Sequence, residues 1–374
     1  MQRKRKPRDT GLDALRLLCM LMLAAYHFIN FYGRQYVNFA DNGIKALIIQ
    51  NFLWGGGRMI CNVFFFISAW HLCEKDFRVE RLFKMWISVL LYSAALGVYS
   101  YGRYGALLFL IRHLFPLETG QVWYVSAYIA VLIVSPLLNI LLQEKNLNRT
   151  RRIAAGLFVI QCVIPTFYPR AGIRFSTCGW FCLAYLIIGI IKKERIRINR
   201  RVCLLMFLSG WISCIGFYNG YDYLIKNERI MALFTELGFY RNVYFADLAS
   251  LPCFFSALGL FLMFRDLNLP GGGILAYISA ASVDVYIVSS LEGYTGGLAW
   301  VELSGLAVPD RIYKYYICIC LGIVIGVVLG NIRERVYNSV MNTLKIRNIF
   351  RKIDERINRK TVEDRFRINH GGLK

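Results

Sequence analysis

The sequence predicts an all-α fold, a polytopic integral-membrane bundle of about ten transmembrane helices. Three observations carry that expectation. Of the 374 residues, 57% are hydrophobic and only 18% are charged, where soluble domains average about 45–50% and about 25%. Long apolar runs recur from near residue 12 to near residue 331 and leave no separate soluble domain. Lysine and arginine crowd alternate connections between those runs, as in a chain that crosses a membrane repeatedly.

Taken in order, the runs place spans at 11–32, 46–73, 82–101, 121–142, 153–168, 179–191, 202–219, 242–264, 273–292 and 312–331. The first reads as a retained span, because it is longer than a leader's apolar core and lacks a small-residue cleavage site. The second ends in NVFFFISAWHL and runs into a charged connection. There Arg78, Arg81 and Lys84 recur every third residue and share one side of a helix leading into the third span. Around 106–115 a short surface or re-entrant helix is expected. Past residue 331, Ile346, Ile349, Phe350, Ile353 and Ile357 form a helical stripe among Arg347, Arg351, Lys352, Arg356, Arg359 and Lys360. That pattern suits a helix lying on anionic lipids. The division is therefore a basic N-terminus (1–10), a membrane domain (11–331) and a basic amphipathic tail (332–374). No 34- or 40-residue repeat and no inverted repeat is visible.

The formal net charge is +22, yet its distribution argues against nucleic acid as the partner. Arg3, Lys4, Arg5, Lys6 and Arg8 precede the first span, and Lys192, Lys193, Arg195, Arg197, Arg200 and Arg201 crowd one short loop. This asymmetry expects both termini in the cytoplasm and a multi-pass protein of the plasma membrane. The connections at 101–120, 165–178 and 220–241 then face outward, where their aromatic and mixed-charge content would suit a polar acceptor such as a sugar. The 11 cysteines, among them Cys19, Cys61, Cys182, Cys214, Cys253, Cys318 and Cys320 inside spans, show no CxxC pair. They read as packing residues, with neither a disulfide framework nor a metal site expected.

Arg16 and His27 lie in the first apolar run, where ionisable groups are costly and therefore mark function by default. Eleven steps at about 100° bring them onto one helical face, roughly 16 Å apart along the axis. Asp13 is placed to pair with Arg16 at the membrane edge. The plainer alternative is a snorkelling arginine and a histidine bonded to a neighbouring helix. Asp247, Asp284 and Arg58 also fall in spans and are expected to form structural ion pairs.

The Arg16–His27 spacing within LDALR…H resembles the opening helix of the acyltransferase 3 family, integral-membrane enzymes that acylate cell-surface carbohydrates. NVFFFISAW at 62–70 is similar to the family's FFFISGY helix end, with Ala69 and Trp70 replacing glycine and tyrosine. VWYVSAYIAVLIVSPLL at 122–138 resembles its tryptophan-started span, and ASVDVYIVS at 281–289 its late SxxxYxxH helix, matching Ser282 and Tyr286. The likeness runs over most of residues 11–331. Ser289 stands where many members carry histidine and Gln121 where a histidine is often found, while His71 and His113 fit no family motif. The family's cytoplasmic arginine pair is read here as Arg81 and Lys84, with lysine lacking the bidentate fork.

The resemblance implies an O-acetyltransferase-like enzyme moving an acyl group from cytoplasmic acetyl-CoA to a hydroxyl of a cell-surface carbohydrate or glycolipid. It implies His27 as catalytic base or acyl carrier. Arg16 would serve catalysis and donor binding, and Arg81 and Lys84 would hold the cofactor's phosphates. The rival reading is a transporter or flippase of a lipid-linked glycan, which should show paired broken helices in two related halves.

Overall fold

The computed structural model describes residues 9–28, 57–105, 107–119, 122–171, 175–270, 272–295 and 308–370. Helix α1 (Thr10–Phe28) contains both Arg16 and His27. Its start is pinned to the chain ahead of residue 272. Leu269 N donates to Thr10 Oγ1 at 2.8 Å, and Gly11 N donates to the Leu267 carbonyl. A Cβ on Gly11 would lie 2.2 Å from the Phe264 carbonyl oxygen, so this contact needs glycine.

Helix α2 (Met59–Leu72) is apolar nearly all round and buried on most of its surface, which makes it the centre of the bundle. Helix α3 (Val79–Tyr104) ends at Gly105 in the left-handed region, and the short α4 (Leu107–Leu114) folds back against it. This is the helix expected near 106–115.

Helix α5 (Trp123–Leu141) carries Pro136 in its interior. Proline cannot donate to the carbonyl four residues back, and the Ser135 hydroxyl bonds that Leu132 carbonyl instead, at 2.8 Å. Helix α6 (Glu144–Phe158) continues through a π turn at Val159–Val163 and a last turn at Ile164–Phe167. The span read as 153–168 is thus the far part of a longer rod.

Helices α7 (Thr177–Lys193), α8 (Arg200–Leu224) and α9 (Glu228–Leu237) follow. Ser176, Asn199 and Asn227 cap them by accepting from first-turn amides. Helix α10 (Leu251–Arg265) begins after a break at Asp247–Ser250, inside the stretch read as one span from 242 to 264. A turn at Ala280–Ala281 likewise divides 273–292 into α11 (Gly272–Ser279) and α12 (Ser282–Thr295). Helix α13 (Val308–Thr343) runs unbroken past the apolar stretch, and α14 (Ile346–His370) closes the chain.

No strand occurs among the described residues. Four segments, Val79–Tyr99, Trp123–Leu141, Arg200–Leu224 and Gly272–Ser289, are long and apolar enough to cross a membrane. Met59–Leu72 and Leu251–Arg265 are apolar but shorter. Large apolar side chains such as Leu91, Val98, Leu137, Leu205 and Ile212 are exposed on the periphery, as a lipid-facing surface requires. The basic stretch 1–8, the connection expected at 33–45 and residues 296–307 of the connection expected at 293–311 lie outside the described residues, as does Gln121.

The starts of α1, α3 and α8 and the ends of α2, α5, α7 and α10 meet at one end of the bundle, here termed the basic end. Asn139 shows the junction. Its amide reaches the Lys75 carbonyl at 3.3 Å and the Leu72 carbonyl at 3.5 Å, and its oxygen accepts from Tyr185 at 2.8 Å. Helix α14 packs its Phe350 against Phe83 of α3, ring centroids 5.2 Å apart, while Ile349 and Ile353 remain exposed. The tail stripe is therefore split between a protein-facing and an outward-facing part.

Candidate functional site

Arg16 and Asp13 form the ion pair expected from their spacing, 2.9 Å apart. The Asp13 carboxylate is buried and also accepts from Ser279 of α11 at 2.9 Å. Helix α11 thus braces the guanidinium through its counter-ion. Arg16 remains 24% exposed at its side chain, and it lines two adjoining spaces.

The first space is a cavity of about 370 Å³ at the basic end, within the range for small-molecule sites. Asp9, Asp13, Arg16, Ser68, His71, Lys75, Arg81 and Tyr128 line it. Burial pushes the Lys75 ammonium below its ordinary range, helped by the like charges of Arg81, Lys192, Arg16 and Arg78. A concentration of cations in a concave site favours an anion. His71 lies 4.0 Å from Asp9 on its wall.

The second space is a largely apolar inner cavity of about 90 Å³ between α1, α2, α5 and α12. Arg16, Ser68 and Tyr128 line both spaces, while Cys61, Tyr124 and Tyr286 lie along the inner one. Tyr124 and Tyr128, one turn apart on α5, stand with parallel rings. Tyr124 also meets Tyr286 edge to face at 5.7 Å.

His27 is not among the described residues lining the inner cavity. Its ring rests against Tyr286 at 5.9 Å, so one aromatic side chain separates it from that space. His27 Nδ1 lies 2.9 Å from Ser289 Oγ. Ser289 in turn donates its hydroxyl hydrogen to the Tyr286 carbonyl at 3.0 Å. In the tautomer with Nδ1–H donating to Ser289, the lone pair belongs to Nε2.

Arg81 and Lys84 both line one cavity of about 360 Å³. Arg81 also lines the neighbouring basic-end cavity with Arg16. Lys84 lines only the shared one and donates to Glu334 of α13 at 2.6 Å. Asp284 is also on that side of the bundle and pairs with Arg333 of α13 in a fork, at 2.7 and 3.1 Å. Tyr92 donates to the same carboxylate at 2.9 Å. Gly330 lets the helices approach this closely, since a Cβ there would lie 2.7 Å from the Asp284 carboxylate.

At the opposite end, Arg58 and Asp247 line a small polar cavity of about 100 Å³ with Gln161 and Trp180. The Arg58 guanidinium lies 5.0 Å over the Trp123 ring. Trp70, which replaces a family tyrosine, is flanked by Lys192 and Arg265 at 4.9 and 5.2 Å from its ring. His113 is buried in α4 against Gly97 of α3, away from these cavities.

Sequence reasoning missed Lys75, Ser68 and Tyr128. A tyrosine pair at i and i+4 inside an apolar span was the available signal for Tyr124 and Tyr128. Ser68 lies in the NVFFFISAW stretch that resembles a family helix end, and Lys75 carried no signal beyond its place near a helix end.

The family model for an acyltransferase domain, Acyl_transf_3, matches residues 9–331. No curated protein and no solved structure matches the chain.

Proposed function

The chain belongs to the acyltransferase 3 family and is an acyltransferase of the membrane-bound type; on that premise we propose that it moves an acetyl group from cytoplasmic acetyl-CoA to a hydroxyl of a cell-surface or lipid-linked carbohydrate. The observation that carries this reading is the shared position of Arg16. It lines both the basic 370 Å³ cavity and the inner cavity, and it lies on the same helix as His27.

In this reading the donor's phosphates lie among Lys75, Arg81 and Arg16. The thioester arm passes Ser68 and Tyr128 toward Tyr286. Lys84, beyond Arg81, contributes charge from the adjoining cavity. The acceptor hydroxyl gives its proton to His27 Nε2 as its oxygen attacks the thioester carbonyl. Arg16, roughly 16 Å away along the axis of α1, holds the donor where the two cavities adjoin and does not reach the carbonyl that His27 serves. When the tetrahedral intermediate collapses, the C–S bond breaks and the imidazolium proton passes to the departing thiolate. The products are an ester and free thiol.

We place the protein in the plasma membrane with both termini in the cytoplasm, so that the basic end meets the acyl-CoA pool. The exposed Ile349 and Ile353, beside Arg351, Lys352 and Arg356, then rest on the anionic inner leaflet.

The test is mass spectrometry of surface carbohydrate from cells with and without the gene. An ester removed by mild alkali, present only with the gene, is expected. Identical ester content in the two would overturn the proposal.

A further inference from the structure

We propose that Asp354, on the C-terminal helix α14, is a positioning residue for the donor site. It holds the first turn of α3, and with it Arg81, in place at the basic-end cavity. This rests on the reading of that cavity as the place where the donor's phosphates bind.

Helix α3 begins with an N-terminus that cannot cap itself. Arg78, its flanking residue, is extended and makes no side-chain cap bond, and arginine is not a capping residue. The missing acceptor comes from far along the chain: Val79 N donates to Asp354 Oδ1 at 2.7 Å, across 275 residues. A carboxylate at this point also meets the positive end of the helix dipole. Contacts on either side keep it there. Asn358 donates to the Phe77 carbonyl at 3.2 Å, Arg347 pairs with Glu80 at 3.1 Å, and Phe350 packs on Phe83. About three turns of α14 therefore track residues 77–83.

Arg81 lies within that first turn, donates to the Asp76 carbonyl at 3.2 Å and lines both cavities of the basic end. A shift of the turn moves Arg81 directly. The cap has a second consequence. A helix N-terminus is a ready site for phosphate, and here Asp354 already occupies it. The donor's phosphates are left to the side chains of Arg16, Lys75 and Arg81. The device lies outside the matched family domain, which ends at residue 331.

The test is acetyl-CoA binding to the purified full-length protein in detergent, alongside hydrogen exchange over residues 76–83. Asp354→Leu should weaken binding about fivefold, as expected for loss of a cap, and speed exchange at Val79. Asp354→Asn keeps an acceptor oxygen and should bind within about twofold of the parent. Unchanged affinity in Asp354→Leu despite faster exchange would overturn the proposal while leaving the donor site standing. If Asp354→Leu does not fold, the asparagine variant decides: a fivefold loss there would show that charge, and not the cap, matters. Absence of acetyl-CoA binding by the parent protein would remove the donor reading and this inference with it.

Discussion

His27 and Ser289, 262 residues apart in the chain, meet through Nδ1 and Oγ at 2.9 Å. Ser289 Oγ also lies 3.0 Å from the Tyr286 carbonyl, which accepts its hydroxyl hydrogen when Nδ1–H donates to Ser289. On the proposed reading of His27 as base, this contact holds the tautomer with its lone pair on Nε2. Ser289→Ala removes the acceptor and should lower acyl transfer about tenfold, less than the 10²–10⁴ expected for losing a positioned base. Ser289→Thr keeps the hydroxyl and should restore most of it. Transfer by the alanine variant at the parent rate would show that the contact is idle.

On the proposed reading, protonated Lys75 binds the donor's phosphate and gives that binding a pH dependence, since burial with neighbouring cations lowers its pKa. Donor affinity is therefore complete below that lowered pKa and declines as pH rises through it, starting below the ordinary lysine value of about 10.4. Lys75→Arg stays charged throughout and should move the decline to higher pH. Acetyl-CoA titrations across the alkaline range check this. Coincident curves for the two proteins would exclude Lys75 from the site.

The Asp284–Arg333 fork ties α12 to α13, with the aspartate 1% and the arginine 11% exposed at the side chain. Asp284→Asn would break the fork and leave a largely buried guanidinium with Glu334, 3.7 Å away, as its acidic partner. That change costs up to about 3–5 kcal/mol, the cost of breaking a buried pair. Thermal unfolding in detergent should show the loss. An asparagine variant as stable as the parent would mean that the fork is not a structural tie.

Orientation is testable at two helix ends. With the basic end in the cytoplasm, a cysteine at Lys193 should resist an impermeant thiol reagent in intact cells. A cysteine at Tyr223, exposed at the far end of α8, should react. Labelling at 193 and protection at 223 would reverse the orientation.

How much of this could be read from the chain depended on the distance over which each contact acts. The Asp13–Arg16 pair, the shared face of Arg16 and His27 and the short helix at 107–114 follow from local spacing. The partner of Asp284 did not, because Arg333 lies past the last apolar stretch and only the unbroken length of α13 brings it back. Ser289 looked like a lost histidine, since nothing in one helix shows what faces it from another. Lys84 shares a helical face with Arg81 in sequence, yet α13 draws it toward Glu334. The tail stripe fitted a lipid surface, and only tertiary packing diverts Phe350 onto α3.

The central claim is that His27 takes the proton from the acceptor hydroxyl, and His27→Gln addresses it most directly. Glutamine keeps a polar side chain of similar reach but cannot titrate. With ester content of the surface carbohydrate normalised to protein level, His27→Gln is expected to lower transfer by about 10²–10⁴ at near-normal expression. Arg16→Lys should fall between that variant and the parent, keeping charge without the planar fork. Substantial acylation by His27→Gln would contradict the assignment of His27 as base, and the mechanism built on it.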